Sequence, residues 1–106
     1  MTFHLAILTP DARYFDGEAE AAIVPGLKGV FGVLPRHAPT VAALGTGILQ
    51  VNAKGALRFF IVDGGVAEVK RDSVAILTES VLEAQDSFEA EQKVQELRAG
   101  VRAMVR

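Results

Sequence analysis

The sequence has no cysteine and no tryptophan. Without thiols there is neither a disulfide framework nor a thiolate metal site, and nothing points to an oxidising compartment. Histidine is nearly missing as well. His4 and His37 stand thirty-three residues apart, outside any H-E-x-x-H spacing, so the ligand set of a catalytic metal is not there. The serines, Ser73, Ser80 and Ser87, lie in no G-x-S-x-G elbow. Gly45-Thr46-Gly47 is followed by Gln50 where a dinucleotide loop needs glycine, and no phosphate-cradling lysine motif occurs. No sign of charge dominates: eleven basic against thirteen acidic side chains give −2, with no basic stripe to follow a phosphate backbone, which argues against a nucleic-acid partner. Long apolar runs are lacking too. The N-terminus has no charged leader and its apolar stretch stops at Pro10, too short for a signal peptide or a membrane span, so contact with a membrane is expected to be indirect. These absences exclude most catalytic chemistry and leave no implied cofactor or metal.

What is present is half apolar and 23% charged over 106 residues, enough for one core and one domain. Residues 3 to 82 read as short strands punctuated by Gly, Pro and Asp, the spacing of an all-β sandwich. Phe3, Leu5 and Ile7 alternate on one face, which puts His4 on the outer one. Glu18 to Val24 reads as a single strand turned by Pro25-Gly26, and its paired carboxylates, Glu18 and Glu20, read as a solvated face rather than an acid–base pair. Lys28–Leu34, Thr40–Leu44 and Ile48–Val51 follow as separate strands, and Asn52-Ala53-Lys54-Gly55 suits a longer hairpin loop. Leu57–Val62 is apolar enough to be covered on both sides and should end at Asp63-Gly64-Gly65; Val66–Val69 and Val74–Thr78 come next. From Asp86 the period becomes helical. Ala90, Val94, Leu97, Val101 and Met104 share one stripe that needs burial, Asp86 and Glu89 stand in capping-box relation, and Arg98, Arg102 and Arg106 suit the C-terminal end of the dipole, with Gly100 as the weak point. The expected architecture is a mainly β protein with C-terminal α structure: an antiparallel β-sandwich, residues 1–82, followed by a single amphipathic helix within residues 83–106.

One segment is denser in constraint than any turn requires. Pro25-Gly26-Leu27-Lys28-Gly29-Val30-Phe31-Gly32-Val33-Leu34-Pro35-Arg36-His37-Ala38-Pro39 holds glycines at three-residue spacing and three prolines, which restrict the backbone in the folded state. The pattern P-G-x-x-G-x-F-G-V-L-P-x-H-A-P resembles the signature of the ε subunit of F-type ATP synthases. The likeness extends to Thr9-Pro10 and Phe15-x-Gly17-Glu18-Ala19 before it, and to Leu44-x-x-Gly47 and Gly64-Gly65-Val66-x-Glu68-Val69 after it.

The resemblance implies a non-catalytic rotor part of the central stalk, coupling rotation of the c-ring to γ and the catalytic head, on the cytoplasmic face of the bacterial plasma membrane. It implies that Lys28, Gly29, Val30, Phe31 and Gly32 face the c-ring, with Val30 and Phe31 as exposed apolar anchors, and that Thr9, His37 and Ala42 face γ. Members of the family commonly end in two helices that inhibit ATP hydrolysis by contacting the α and β subunits; the sequence here provides for one, leaving Arg98, Arg102 and Arg106 as candidate head contacts and little inhibition expected. Some members bind ATP through an apolar-Asp-x-x-Arg-Ala motif. The matching Val94-Gln95-Glu96-Leu97-Arg98-Ala99 has Gln95 in place of the acid, so no nucleotide is expected to bind. The competing reading is a free-standing β-sandwich ligand-binding module.

Overall fold

The computed structural model describes the backbone of residues 1 to 105 and side chains through residue 99. Eight strands and one helix follow in order: β1 (Phe3–Leu8), β2 (Arg13–Ala19), β3 (Ala21–Gly26), β4 (Gly29–Val33), β5 (Thr40–Ala53), β6 (Ala56–Val69), β7 (Ser73–Leu77), β8 (Val81–Ala84) and α1 (Ser87–Val105). The hydrogen-bonded order is β2-β1-β7-β6-β5-β3-β4, with β8 also on β6. All pairs are antiparallel except β1 with β7.

The sandwich is one sheet folded over on itself. β5 and β6 pair from Thr40↔Val69 to Ala53↔Ala56, and each serves both layers. The half of β6 from Val66 to Val69 pairs with β7, whereas Phe59 to Val62 pair with β8; β3 pairs mainly with the later half of β5. The core-facing residues change parity at the fold line, from Ala67 and Val69 to Phe60 and Val62 on β6, and from Leu44 to Leu49 and Val51 on β5. Glycine makes this possible: Gly64 and Gly65 have φ of 79° and 119°, and a side chain on Gly65 would collide with the Leu77 carbonyl oxygen. Gly45-Thr46-Gly47 and Asp63-Gly64-Gly65, expected as strand ends, do not break the ladder, which runs on through the bend.

Between the layers lies the core, with Phe3, Leu5, Ile7 and Ile76 from one side and Val24, Leu49, Val51, Phe60 and Val62 from the other. The alternation expected of Phe3, Leu5 and Ile7 is present, and His4 is outside, bonded to Asp16. The stretch expected to be one strand over Glu18–Val24 is two strands. Glu20 lies between β2 and β3, its N–H donating to the Asn52 carbonyl while its carboxylate accepts the Gly55 N–H, so Glu18 and Glu20 do not share a strand face. The β5–β6 connection is tighter than expected. Lys54 and Gly55 both have positive φ, 56° and 75°, the two-residue primed turn whose twist matches its strands.

β8, not foreseen as a strand, carries the sheet on to Ala84 and delivers the chain to α1. Asp86 Oδ1 accepts the Glu89 N–H at 2.8 Å, and the Glu89 carboxylate accepts the Gln85 N–H at 2.8 Å; this reciprocal cap reaches one residue further back than the usual capping box. α1 lies on the outer side of the β8-β6-β5 layer, where Ala90 and Val94 cover Ile61 and Ala84, with Ile48 and Phe59 at the margin. The apolar stripe is only partly used: Leu97 remains 43% exposed. Gly100 and the side chains of Val101, Met104, Arg102 and Arg106 lie outside the described residues.

Candidate functional site

The glycine- and proline-rich motif builds the β3–β4 hairpin and the connection to β5. Pro25 and Gly26 continue β3 rather than turning the chain, and Gly26↔Gly29 is its last pair, so Leu27-Lys28 alone form the turn. A side chain on Gly26 would meet the Gly29 carbonyl oxygen at 2.6 Å and the Phe31 ring at 3.1 Å, and Gly29 has φ 143°; both positions require glycine. The tip is braced on β5. The Leu27 N–H donates to the Ala43 carbonyl at 2.8 Å, and Gly47 leaves room for Pro25, whose Cβ lies 2.7 Å from where a Gly47 Cβ would stand.

After β4 the chain makes a turn at Leu34-Pro35-Arg36-His37, closed by the His37 N–H on the Leu34 carbonyl at 3.2 Å. Pro35 occupies the second place. Arg36 holds φ 67° in the third, a place that type II turns normally give to glycine or asparagine. His37 Nδ1 donates to the Ala38 carbonyl at 2.7 Å, which fixes the ring against its own loop.

The five residues expected as a ring-facing loop are therefore the tip residue Lys28 and the first four residues of an edge strand. Their side chains part company. Val30 is 70% exposed, on the same outer face as Ile23. Phe31 is not an exposed anchor: strand alternation turns it inward beside Val24, where it packs half-buried on the core. The apolar companions of Val30 are residues outside the expected set. Leu27 is 68% exposed, and Leu34 is open as well; the signal was available, since each stands at a turn with no core position to fill. Between the hairpin and α1 runs an open groove of about 660 Å³, lined by Ile23, Leu27, Val30, Val94 and Arg98.

The residues expected to face γ occupy the other layer and its approach. Thr9 closes the β1–β2 turn, its N–H donating to the Ala12 carbonyl at 2.9 Å and its hydroxyl accepting the Ala12 N–H at 3.2 Å. Ala42 sits in the core-facing row Ala42–Ala67–Ile76–Ile7, half-buried. Three strand spacings, about 14 Å, separate it from that end of β1, and His37 precedes β5. The three do not converge on one point. The exposed face beside them carries a cross-strand row of Ala43, Val66, Leu77 and Leu8, with Val41 next to it, 70% exposed. Solvent-facing apolar rows of this kind are typical of contact surfaces.

Of the C-terminal candidates, Arg98 Nη2 donates to the Thr46 carbonyl at 3.2 Å, and Thr46 Oγ1 donates to Asp63 at 2.5 Å. Arg98 thus holds α1 against the sandwich. Val94 is core, while Gln95 and Ala99 face outward; Arg102 and Arg106 lie beyond the described side chains.

A polar cluster that the sequence reading did not single out joins β2, β6 and β8. Arg58 makes two hydrogen bonds to the Glu83 carboxylate, 2.8 and 3.0 Å long, and its guanidinium lies over the rings of Phe15 and Phe60. The Arg58 hydrogen bond holds the Glu83 carboxyl below its ordinary range, and the Arg58 guanidinium is raised in turn. Among the described residues no group of His, Asp and Glu is placed to hold a metal, and no helix is long and apolar enough to cross a membrane. Braced backbone and exposed apolar side chains coincide at the hairpin tip.

Comparison with known proteins places the chain among relatives of one kind. A family model described as ATP synthase, Delta/Epsilon chain, beta-sandwich domain, matches residues 2–84. The ATP synthase epsilon chain of Leptospira interrogans (strain Fiocruz L1-130) is 40% identical over 90 residues, covering 84% of this chain and 71% of the relative. That of Prochlorococcus marinus (strain MIT 9313) is 37% identical over 106 residues, covering 98% and 80%. Among solved structures, a chain of the Euglena gracilis mitochondrial ATP synthase OSCP/F1/c-ring assembly superposes with a TM-score of 0.74 at 26% identity, over 92% of this chain and 64% of that one. A chain of the Tetrahymena thermophila mitochondrial ATP synthase central stalk/c-ring shares the fold at 14% identity, with a TM-score of 0.68 over 96% and 92%.

Proposed function

The chain belongs to the ATP synthase delta/epsilon family, and on that premise we propose that it is an epsilon-type subunit of the central stalk. It joins γ to the c-ring and turns with them, transmitting torque during ATP synthesis driven by an ion gradient, and does no bond chemistry itself. The family match over residues 2–84 carries this reading; the likeness to a chain of the Euglena OSCP/F1/c-ring assembly supports the choice of partners. The relatives named above are bacterial, which supports a place on the cytoplasmic face of the plasma membrane, held there through the complex.

Within this reading residues 1–82 form the coupling domain and residues 83–106 the C-terminal segment. The tip of the β3–β4 hairpin, with Lys28, Gly29, Val30 and Gly32, faces the ring. The exposed face next to Thr9, Ala42 and His37 faces γ. Val30, Leu27 and the row through Val66 and Leu77 are apolar surface that water disfavours and a partner would cover. α1 stays docked and inhibits ATP hydrolysis weakly at most, because Ala90 and Val94 are buried on the sandwich and Arg98 is already bonded to the Thr46 carbonyl.

Affinity purification of the tagged chain from detergent-solubilised membranes tests the proposal. γ and the c-ring subunit are expected to come with it in fixed proportion. Recovery of the chain as a soluble monomer, free of both, would overturn it.

A further inference from the structure

β4 ends the sheet order, and its outer edge is unusually bare. Natural edge strands are guarded by charge, proline, bulges or covering loops. From Gly29 to Leu34 three of these are missing: the sequence Gly-Val-Phe-Gly-Val-Leu has no charged residue and no proline, and β3 and β4 pair without a register shift.

The register shows which backbone groups are free. Pro25 has no N–H, so Pro25↔Val30 is a non-hydrogen-bonded pair, and alternation makes Ile23↔Gly32 another. The N–H and C=O groups of Val30 and Gly32 therefore point away from β3. Among the described residues, none of the backbone bonds outside the regular ladders reaches them.

Gly32 adds an independent observation. Its φ is not positive, and a Cβ there would meet only the Ala22 carbonyl oxygen, at 3.9 Å. Neither backbone conformation nor internal packing calls for glycine, which weakens a strand by roughly 0.5–1 kcal/mol relative to alanine. A strand glycine marks a bulge, a tight bend or the close approach of another backbone; the β3–β4 register has no bulge, which leaves close approach, and an edge glycine is filled by a large side chain on the neighbouring strand. The ends of the edge fix the charge. Lys28 and Arg36 bracket the uncharged run, and neither takes part in an ion pair among the described residues.

We infer that the free edge of β4 receives an extended segment of a partner subunit, which pairs with the backbone of Val30 and Gly32 as an added strand. The segment is uncharged in its middle, sets a large apolar or aromatic side chain into the notch at Gly32, and carries a carboxylate near Lys28 or Arg36. Most of the contact is main chain to main chain, and side chains supply only position and register. The inference rests on the reading of the chain as a stalk subunit within an assembled complex.

Hydrogen exchange on the purified complex and on the free full-length chain tests it. The amides of Val30 and Gly32 exchange freely in the isolated chain and slow by on the order of tenfold or more in the complex. Val30→Pro removes an outward N–H and leaves the β3 ladder intact, so the free chain keeps its melting temperature while its retention in the complex falls several-fold. Gly32→Val is the second variant. It fills the notch, holds or raises the melting temperature of the free chain, and weakens retention. Equal exchange in the two states, or full retention of both variants, would overturn the inference. Protection that grows with the concentration of the free chain would assign the edge to a second copy and overturn it too. Failure of the unaltered chain to associate with any stalk or ring subunit would sink the underlying reading instead.

Discussion

A methyl group on Gly26 would press on the Gly29 carbonyl and the Phe31 ring at once, and neither can move without opening the hairpin. Gly26→Ala is expected to cost about 1–3 kcal/mol, read as a lower denaturant midpoint with an unchanged slope. Arg36 is the opposite case, a bulky residue in a left-handed conformation that costs about 1–2 kcal/mol. Arg36→Gly should leave the fold unharmed and gain up to about 1 kcal/mol after glycine's own entropy is counted; a clear loss would mean that the side chain has an internal role. Asp16 gives a pH signature. The hydrogen bond from His4, with the nearby Arg13 charge, lowers its pKa from the ordinary 3.8. A carboxylate with a depressed folded-state pKa contributes stability above its unfolded value and loses it as the pH falls through the folded one. Asp16→Asn should therefore lower stability near neutrality slightly and flatten the acid limb below about pH 4, as seen in melts across pH.

The strands that alternate cleanly were legible in the sequence, and so was the motif, because period-two burial and turn chemistry are local. The boundaries at β5 and β6 were not. Gly45, Gly64 and Gly65 read locally as stops, and only the partner strand, which keeps pairing through them, turns stops into a bend. Phe31 was misplaced for a related reason: its face depends on the register with Val24, which no single strand records. β8 escaped notice because four residues with two exposed positions carry almost no periodic signal. The helix start was the best-specified boundary, since Asp86 and Glu89 act within one turn. Asp86→Ala is expected to cost about 1 kcal/mol. Glu83→Gln, which weakens the half-exposed pair with Arg58, should cost less than about 1 kcal/mol and loosen β8 selectively, with faster amide exchange over residues 81–84 than elsewhere.

At the scale of the assembled molecule, Val30→Asp and Phe31→Asp should differ although they are neighbours. Val30→Asp leaves the isolated chain folded and lowers ion pumping per ATP hydrolysed in membranes, whereas Phe31→Asp puts a carboxylate against the core and destabilises the domain itself. Equal melting temperatures for the two would contradict the inward placement of Phe31. Removing residues 86–106 should change ATP hydrolysis by the assembled enzyme little; several-fold activation would show that the helix inhibits after all. The two fourteen-residue strands, β5 and β6, have a mechanical consequence. A pull along their common axis loads their paired rungs in shear, all together, whereas a pull across it would open them one at a time like a zipper. Because both strands pass from one layer to the other, a twist applied at the hairpin end reaches the opposite face through continuous covalent chain, with no slip plane between the layers. The sandwich is thus stiffest along β5 and β6 and most compliant at β2, β4 and β8, where a single ladder secures each strand.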